Sequence, residues 1–366
     1  MTSVNTATIG RIGEERRVRA DRRWVRIWLA VVMLAIFGLV VVGGATRLTH
    51  SGLSITTWKP IHGVIPPLDH AQWQQEFDLY KRIPEYQKLN QGMTLDQFKG
   101  IFWWEWAHRL LARSVGMLFA LPLIGLWLAG KIESRLKLPL VGIFLLGGLQ
   151  GAIGWWMVSS GLAVRTDVSQ YRLATHLTLA CIIFSSIAWV MRGLASRSTD
   201  APAPRGLVRL GAFIAFLVLL QIYLGGLVAG LDAGLSYNTW PLMDGAIVPG
   251  GMFPLHPLWH NFFENPKLVQ FLHRGNAYLL WTMALVQMVA TLYAVPAARH
   301  ARRAVLFFAV VTIQAALGIT TLLLHVPIDW ALVHQGWAIV VLAFAVMHWR
   351  GLVGEYPLPD EAATAS

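Results

Sequence analysis

Eight blocks of about 20 predominantly apolar residues, the length of helix that crosses a bilayer core, follow one another along this 366-residue chain, at 24–43, 104–130, 138–158, 173–191, 207–230, 268–295, 304–324 and 330–349. In lipid a helix satisfies its own backbone polar groups, so such blocks read as transmembrane helices. The fold expected is an all-α integral membrane protein with eight transmembrane helices. Composition agrees, with 55% hydrophobic and 13% charged residues against roughly 25% charged in a soluble domain. A net charge of +11 would suggest nucleic acid on a soluble chain. Here the basic residues form short runs between apolar blocks, a signal of topology in a lipid membrane, and no nucleic-acid partner is expected. The single cysteine, Cys181, lies inside an apolar block. Neither an intramolecular disulfide nor a CxxC site can form, and redox chemistry requires a bound cofactor.

An even number of spans puts both termini on one side. The segments on that side carry eighteen Lys/Arg in fewer residues than the nine of the opposite segments, so both termini are expected in the cytoplasm. The layout expected is a basic N-terminal tail at 1–23, an N-terminal four-helix bundle at 24–191 with a long outward loop at 44–103, and a linker at 192–206. A second bundle at 207–350 and a cytoplasmic tail at 351–366 complete the chain. The first block does not read as a cleaved signal peptide, because Gly43-Gly44-Ala45-Thr46-Arg47 lacks an A-x-A site.

The chain repeats itself. Gly43-Gly44, Gly52-Leu53-Ser54 and Thr57-Trp58 recur as Gly225-Gly226, Gly234-Leu235-Ser236 and Thr239-Trp240. His108-Arg109 recurs as His273-Arg274, Gln150 and Gly154 as Gln314 and Gly318, and His176 as His334. Because an even number of spans precedes the second copy, the repeat is parallel. Two pseudo-symmetric four-helix bundles follow, an architecture that builds cofactor sites between facing helices.

Position sorts the twelve histidines. His50, His62, His70, His256 and His260 fall in outward loops, while His300 and His348 fall at inward ends, so these are read as solvated or interfacial. His325 has no counterpart and stays unassigned. His108, His176, His273 and His334 lie inside even-numbered spans at equivalent repeat positions. An ionisable group inside a span is costly and marks function. Two imidazoles on facing helices can supply both axial ligands of a haem iron, giving one haem-sized site per half. A single four-histidine zinc or copper site is the competing metal reading. Arg109, Arg113, Arg172 and Arg274 lie beside these histidines, as either propionate partners or snorkelling cations.

The halves differ chemically. Glu105, three residues before His108, corresponds to Gln270 in the second half. A carboxylate beside a porphyrin can accept protons or stabilise developing positive charge, and an amide can do neither. The reacting site is therefore expected in the first bundle and an electron-carrying haem in the second, unless Glu105 merely pairs with Arg109 at i,i+4. The segment 46–67 can form a lid over the first site.

The segments Gly43-Gly44-Ala45-Thr46-Arg47-Leu48-Thr49, Phe102-Trp103-Trp104-Glu105-Trp106-Ala107-His108-Arg109, Gln150-Gly151-Ala152-Ile153-Gly154 and Tyr171-Arg172-Leu173-Ala174-Thr175-His176 closely resemble the haem A synthase family of alphaproteobacteria and mitochondria, over roughly 24–350. The resemblance implies an oxidoreductase of the bacterial inner membrane. It would oxidise the C8 methyl of haem O to the formyl group of haem A, through successive hydroxylations with oxygen from water, for cytochrome oxidase assembly. It further implies that His108 and His176 hold the substrate haem iron, that Glu105 is the catalytic carboxylate, and that His273 and His334 ligate a resident haem b, near the periplasmic side. A haem O synthase is implied as partner, and a homo-oligomer stays open. The chain departs from many bacterial relatives in lacking an outward cysteine pair, so no mechanism that needs the pair operates here. The other readings are a di-haem b, quinone-linked electron-transfer subunit and, from another class, a transporter.

Overall fold

A computed structural model describes residues 2–59, 62–195, 202–296 and 299–358. The helices in chain order are α1 (Thr2–Leu48), α2 (His70–Tyr80), α3 (Pro84–Lys88), α4 (Leu95–Leu128), α5 (Ser134–Ser159), α6 (Gln170–Gly193), α7 (Arg205–Gly230), α8 (Asn261–Glu264), α9 (Pro266–Ala294), α10 (Arg299–Leu323) and α11 (Ile328–Val353). Among the described residues no strand forms beyond one isolated bridge, Met243 with Ala246. Eight helices, α1, α4, α5, α6, α7, α9, α10 and α11, are long and apolar enough to cross a membrane. They coincide with the eight apolar blocks, and the chain is an all-α, multi-pass membrane protein.

Their packing closes into two rings. In one, α1 meets α4, α4 meets α5, α5 meets α6, and α6 returns to α1. In the other, α7 meets α9, α9 meets α10, α10 meets α11, and α11 returns to α7. The rings join where α6 meets α7, α1 meets α11, and α6 meets α11. Close backbone approach is set by small residues, the usual device where lipid supplies no hydrophobic drive between helices. A Cβ added at Gly226 on α7 would lie 2.9 Å from the Ala174 Cα of α6.

Two helices run further than their apolar blocks. α1 continues without a break back through the basic stretch before residue 24, where Glu15 and Arg19 pair at i,i+4. α4 starts nine residues before its apolar block, because Thr94 and Gln97 form a capping box. The stretch between α1 and α4 is therefore a small folded cap. α2 and α3 pack with α4 around Phe77, Tyr80, Ile83, Phe98 and Phe102, and Leu53, Ile55, Val158 and Val168 complete this core.

The described segment after α11 is tied to the helices by Arg22, alongside Arg135, which donates to the Pro357 carbonyl, and the Tyr356 amide, which donates to the Gly193 carbonyl. Arg22 of α1 donates to Glu133 Oε1 at 2.6 Å and to the carbonyls of Tyr356 and Pro357 at 3.0 and 2.7 Å. It joins α1, the α4–α5 turn and the segment after α11. The expected cytoplasmic tail thus begins as packed chain, and residues 359–366 lie outside the described residues, as do 196–201 of the expected linker.

Candidate functional site

Each of the four repeat histidines lies against a glycine of a neighbouring helix. A Cβ added at Gly43 of α1 would sit 2.8 Å from His108 Cε1 on α4, and one at Gly154 of α5 would sit 2.9 Å from His176 Cε1 on α6. In the second ring Gly225 of α7 stands in this relation to His273 of α9 at 3.2 Å, and Gly318 of α10 to His334 of α11 at 2.9 Å. The glycines are notches that let the Cε1 edge of each ring come close to the neighbouring helix. They explain why glycine pairs and Gln-x-x-x-Gly spacings recur along the chain.

His108 and His176 lie on α4 and α6 of one ring of helices, and His273 and His334 on α9 and α11 of the other. Among the described residues no three His, Cys, Asp or Glu side chains converge on a common point, which removes the basis for one shared four-histidine metal site. Two imidazoles per bundle, each backed by a cradle that a Cβ would fill, are a donor set that fits a porphyrin iron with two axial ligands.

Glu105 is buried three residues before His108. Its Oε2 accepts from the Ser54 hydroxyl and the Ile55 amide, each at 2.8 Å. Its Oε1 accepts from Arg109 Nε at 3.1 Å and Nη2 at 2.6 Å. The i,i+4 ion pair with Arg109 therefore exists, yet it accounts for one oxygen only. Four donors to one carboxylate, two from a guanidinium, make a strong anion seat. The second half repeats the frame without the charge. Arg274 donates to the carbonyls of Tyr237 and Thr239 at 2.6 and 2.8 Å, as Arg109 does to Ile55 and Thr57 at 2.8 and 3.1 Å. Gln270 takes the Glu105 position, donating to the Tyr237 carbonyl at 3.2 Å.

The other two arginines also spend donors on local oxygen. Arg113 donates to the Lys59 carbonyl at 2.9 Å, and Arg172 to the Trp156 carbonyl at 2.5 Å and to Ser159 Oγ at 3.2 Å. A cavity of about 510 Å³ opens beside Arg109 and Arg113, bounded by Thr57, Glu76, Phe102 and Trp106. The segment that covers Glu105 is the one expected as a lid, and its Ser54 and Ile55 were not singled out by sequence reasoning. Their only signal was the recurring Gly-Leu-Ser.

Sequence reasoning also missed a second buried carboxylate. Glu85, at the start of α3, is buried in the cap beneath Tyr80 and accepts its hydroxyl at 3.2 Å. Burial pushes its carboxyl up to about 8, against a hydrogen bond from Tyr80 that lowers it, and the Asp167 and Glu105 charges add to the rise.

One expectation needs correcting. His300 and His348, read as solvated or interfacial, are 1% and 3% exposed. α10 begins at Arg299 and α11 runs to Val353, so both residues sit on helix and face the bundle interior. His348 lies 3.1 Å from Gln287 Nε2 and stacks on Phe307.

Residues 26–346 match the cytochrome oxidase assembly protein family. Among similar proteins, the haem A synthase of Rhizobium meliloti (strain 1021) is 66% identical over 342 residues, 93% of each chain. That of Sinorhizobium medicae (strain WSM419) is 64% identical over 341 residues, again 93% of each, and that of Agrobacterium fabrum is 63% identical over 339 residues, 93% of each. With a match across nearly the whole chain and identity at this level, the protein belongs to the haem A synthase family.

Proposed function

We propose that this protein is a haem A synthase that oxidises the C8 methyl of haem O to a formyl group. The single observation that carries the reading is the asymmetry of otherwise matching frames, with Glu105 in a four-donor seat beside His108 and Gln270 in the corresponding place beside His273. The substrate haem is held by His108 and His176 in the first ring. A resident haem b on His273 and His334 supplies one-electron redox capacity.

With water as the oxygen source, converting a methyl to a formyl group releases four electrons and four protons per water consumed. Glu105 is the group placed to take protons and to stabilise positive charge developing at the methyl carbon. Arg109 fixes the carboxylate and the covering segment together, which leaves it one N–H for a propionate. Arg113, Arg172 and Arg274 are the further propionate contacts. The cavity beside Arg109 gives water a way in. Both termini face the cytoplasm and the haem sites lie toward the periplasmic side of the bacterial inner membrane. A haem O synthase delivers the substrate, and the product serves cytochrome oxidase assembly.

Extraction of pigment from the purified, detergent-solubilised protein tests this reading. Haem b together with haem O, its hydroxylated form or haem A is the expected content. Haem b alone would favour the electron-transfer subunit, and no haem would remove the role given to the four histidines.

A further inference from the structure

The four imidazoles differ in what lies one turn before their glycine. Before Gly154, Gly225 and Gly318 stand Gln150, Gln221 and Gln314. Each glutamine donates through Nε2 to the backbone carbonyl of the histidine it faces, at 2.9 Å for His176, 3.0 Å for His273 and 3.1 Å for His334. The same Nε2 lies 3.1, 3.1 and 3.2 Å from Nδ1 of the ring, and for His176 and His273 also 3.4 and 3.2 Å from the ring Nε2. One amide thus spans ring and backbone, so turning the ring breaks a contact. In the second bundle the clamp is itself held, because Asn276 Nδ2 donates to Gln221 Oε1 at 2.7 Å.

The fourth histidine has no such clamp. Before Gly43 stands Leu39, at the repeat position of Gln221, and the counterpart of Asn276 is Leu111. Nδ1 of His108 is buried and has no hydrogen-bond partner among the described residues. By hydrogen bonding, the ring beside the reacting carboxylate is the least constrained of the four.

We propose that Gln150, Gln221 and Gln314 are positioning residues that pin His176, His273 and His334, and that Leu39 leaves His108 as the exchangeable ligand through which a porphyrin enters and leaves the first bundle. The inference rests on the reading of the four histidines as haem ligands. Its logic is that outer partners of a ligating histidine fix ring orientation and carry about 10–100-fold in affinity. A resident group needs both ligands fixed, whereas a site that must release its product needs one that lets go.

The test uses the full-length protein in detergent, loaded with haemin, and follows haem transfer to excess apomyoglobin together with the low-spin ferric signal of paired imidazoles. Wild type should lose haem in a fast and a slow phase. Leu39→Gln with Leu111→Asn, which installs the clamp in the first bundle, should slow the fast phase by at least about tenfold, and Gln221→Leu should speed the slow phase by a similar factor while its starting signal stays low-spin. Leu39 and Leu111 are only half-buried, so the exchange fits locally. Phases unchanged within about twofold in both variants, with low-spin haem present, overturn the proposal alone. Should the double variant fail to fold, Gln221→Leu and Gln314→Leu decide it by the same criterion. A wild type with no low-spin haem overturns the haem reading and this inference with it.

Discussion

Arg109 reaches Glu105 with two donors, Nε at 3.1 Å and Nη2 at 2.6 Å, both on Oε1. Its remaining hydrogen bonds among the described residues go to the carbonyls of Ile55 and Thr57, so one guanidinium joins the carboxylate to the segment that covers it. A lysine has neither the planar fork nor the donor count for this arrangement. Arg109→Lys should keep bound haem and lower the turnover rate by about tenfold or more, since truncating one partner of a buried, hydrogen-bonded charge pair costs roughly 2–5 kcal/mol. Unchanged turnover would show that Arg109 does not hold the reacting carboxylate.

The cap should lose stability as pH rises. The Glu85 carboxyl is pushed up to about 8 by burial, so the folded cap holds a proton that the unfolded chain releases above the ordinary value of 4.5. A group raised in the folded state contributes fully below its unfolded value, and that contribution is lost as pH climbs through the folded value. Proteolysis between residues 49 and 94 should therefore be slow at about pH 5 and faster at about pH 9, and Glu85→Gln should flatten that dependence. An identical pH dependence in the variant would contradict this assignment.

The glycine notches make a graded prediction. Alanine at 318 places a Cβ 2.9 Å from His334, whereas alanine at 225 places one 3.2 Å from His273. Gly318→Ala should displace its ring and weaken resident haem retention by about tenfold or more, with Gly225→Ala milder. Equal retention in both, measured by haem-to-protein ratio after size-exclusion chromatography, would show that the rings do not depend on these notches.

At the opposite end, Arg22 donates to Glu133 and to two carbonyls beyond α11. Arg22→Ala leaves the Tyr356 carbonyl without its donor and the Pro357 carbonyl with Arg135 alone, and a buried acceptor left unmade costs about 1–3 kcal/mol. Thermal unfolding in detergent should drop accordingly, with haem content unchanged. No drop would mean that the tail does not brace α1.

Much of this arrangement was legible in the sequence because the constraints are periodic. Lipid demands long apolar helices, and eight appear where eight blocks are. The histidines and Glu105 were legible because charge and imidazole inside a span are conspicuous against leucine and valine. The Gln150 and Gln314 match was visible too, but its purpose needs the ring that lies beside each amide. The cap was not legible, since Leu95–Trp103 is helix by virtue of a capping box and aromatic packing, without being apolar enough to read as a span. Ser54 and Ile55 reach Glu105 from a stretch of loop, and Glu85 meets Tyr80 inside the cap, contacts that no spacing announces. His300 and His348 were misjudged because a few extra residues of helix turned supposed ends into interior.

The central claim is that Glu105 makes the first bundle a porphyrin-modifying site. The direct measurement is mass analysis of haem recovered after the purified protein, wild type or Glu105→Gln, is supplied with haem O under oxidising turnover. Wild type should yield hydroxymethyl and formyl haem, and the variant a yield lower by about 10²–10⁴, the usual contribution of a positioned acid–base group, with haem O still bound. Equal conversion by both proteins, or none by wild type, would contradict it.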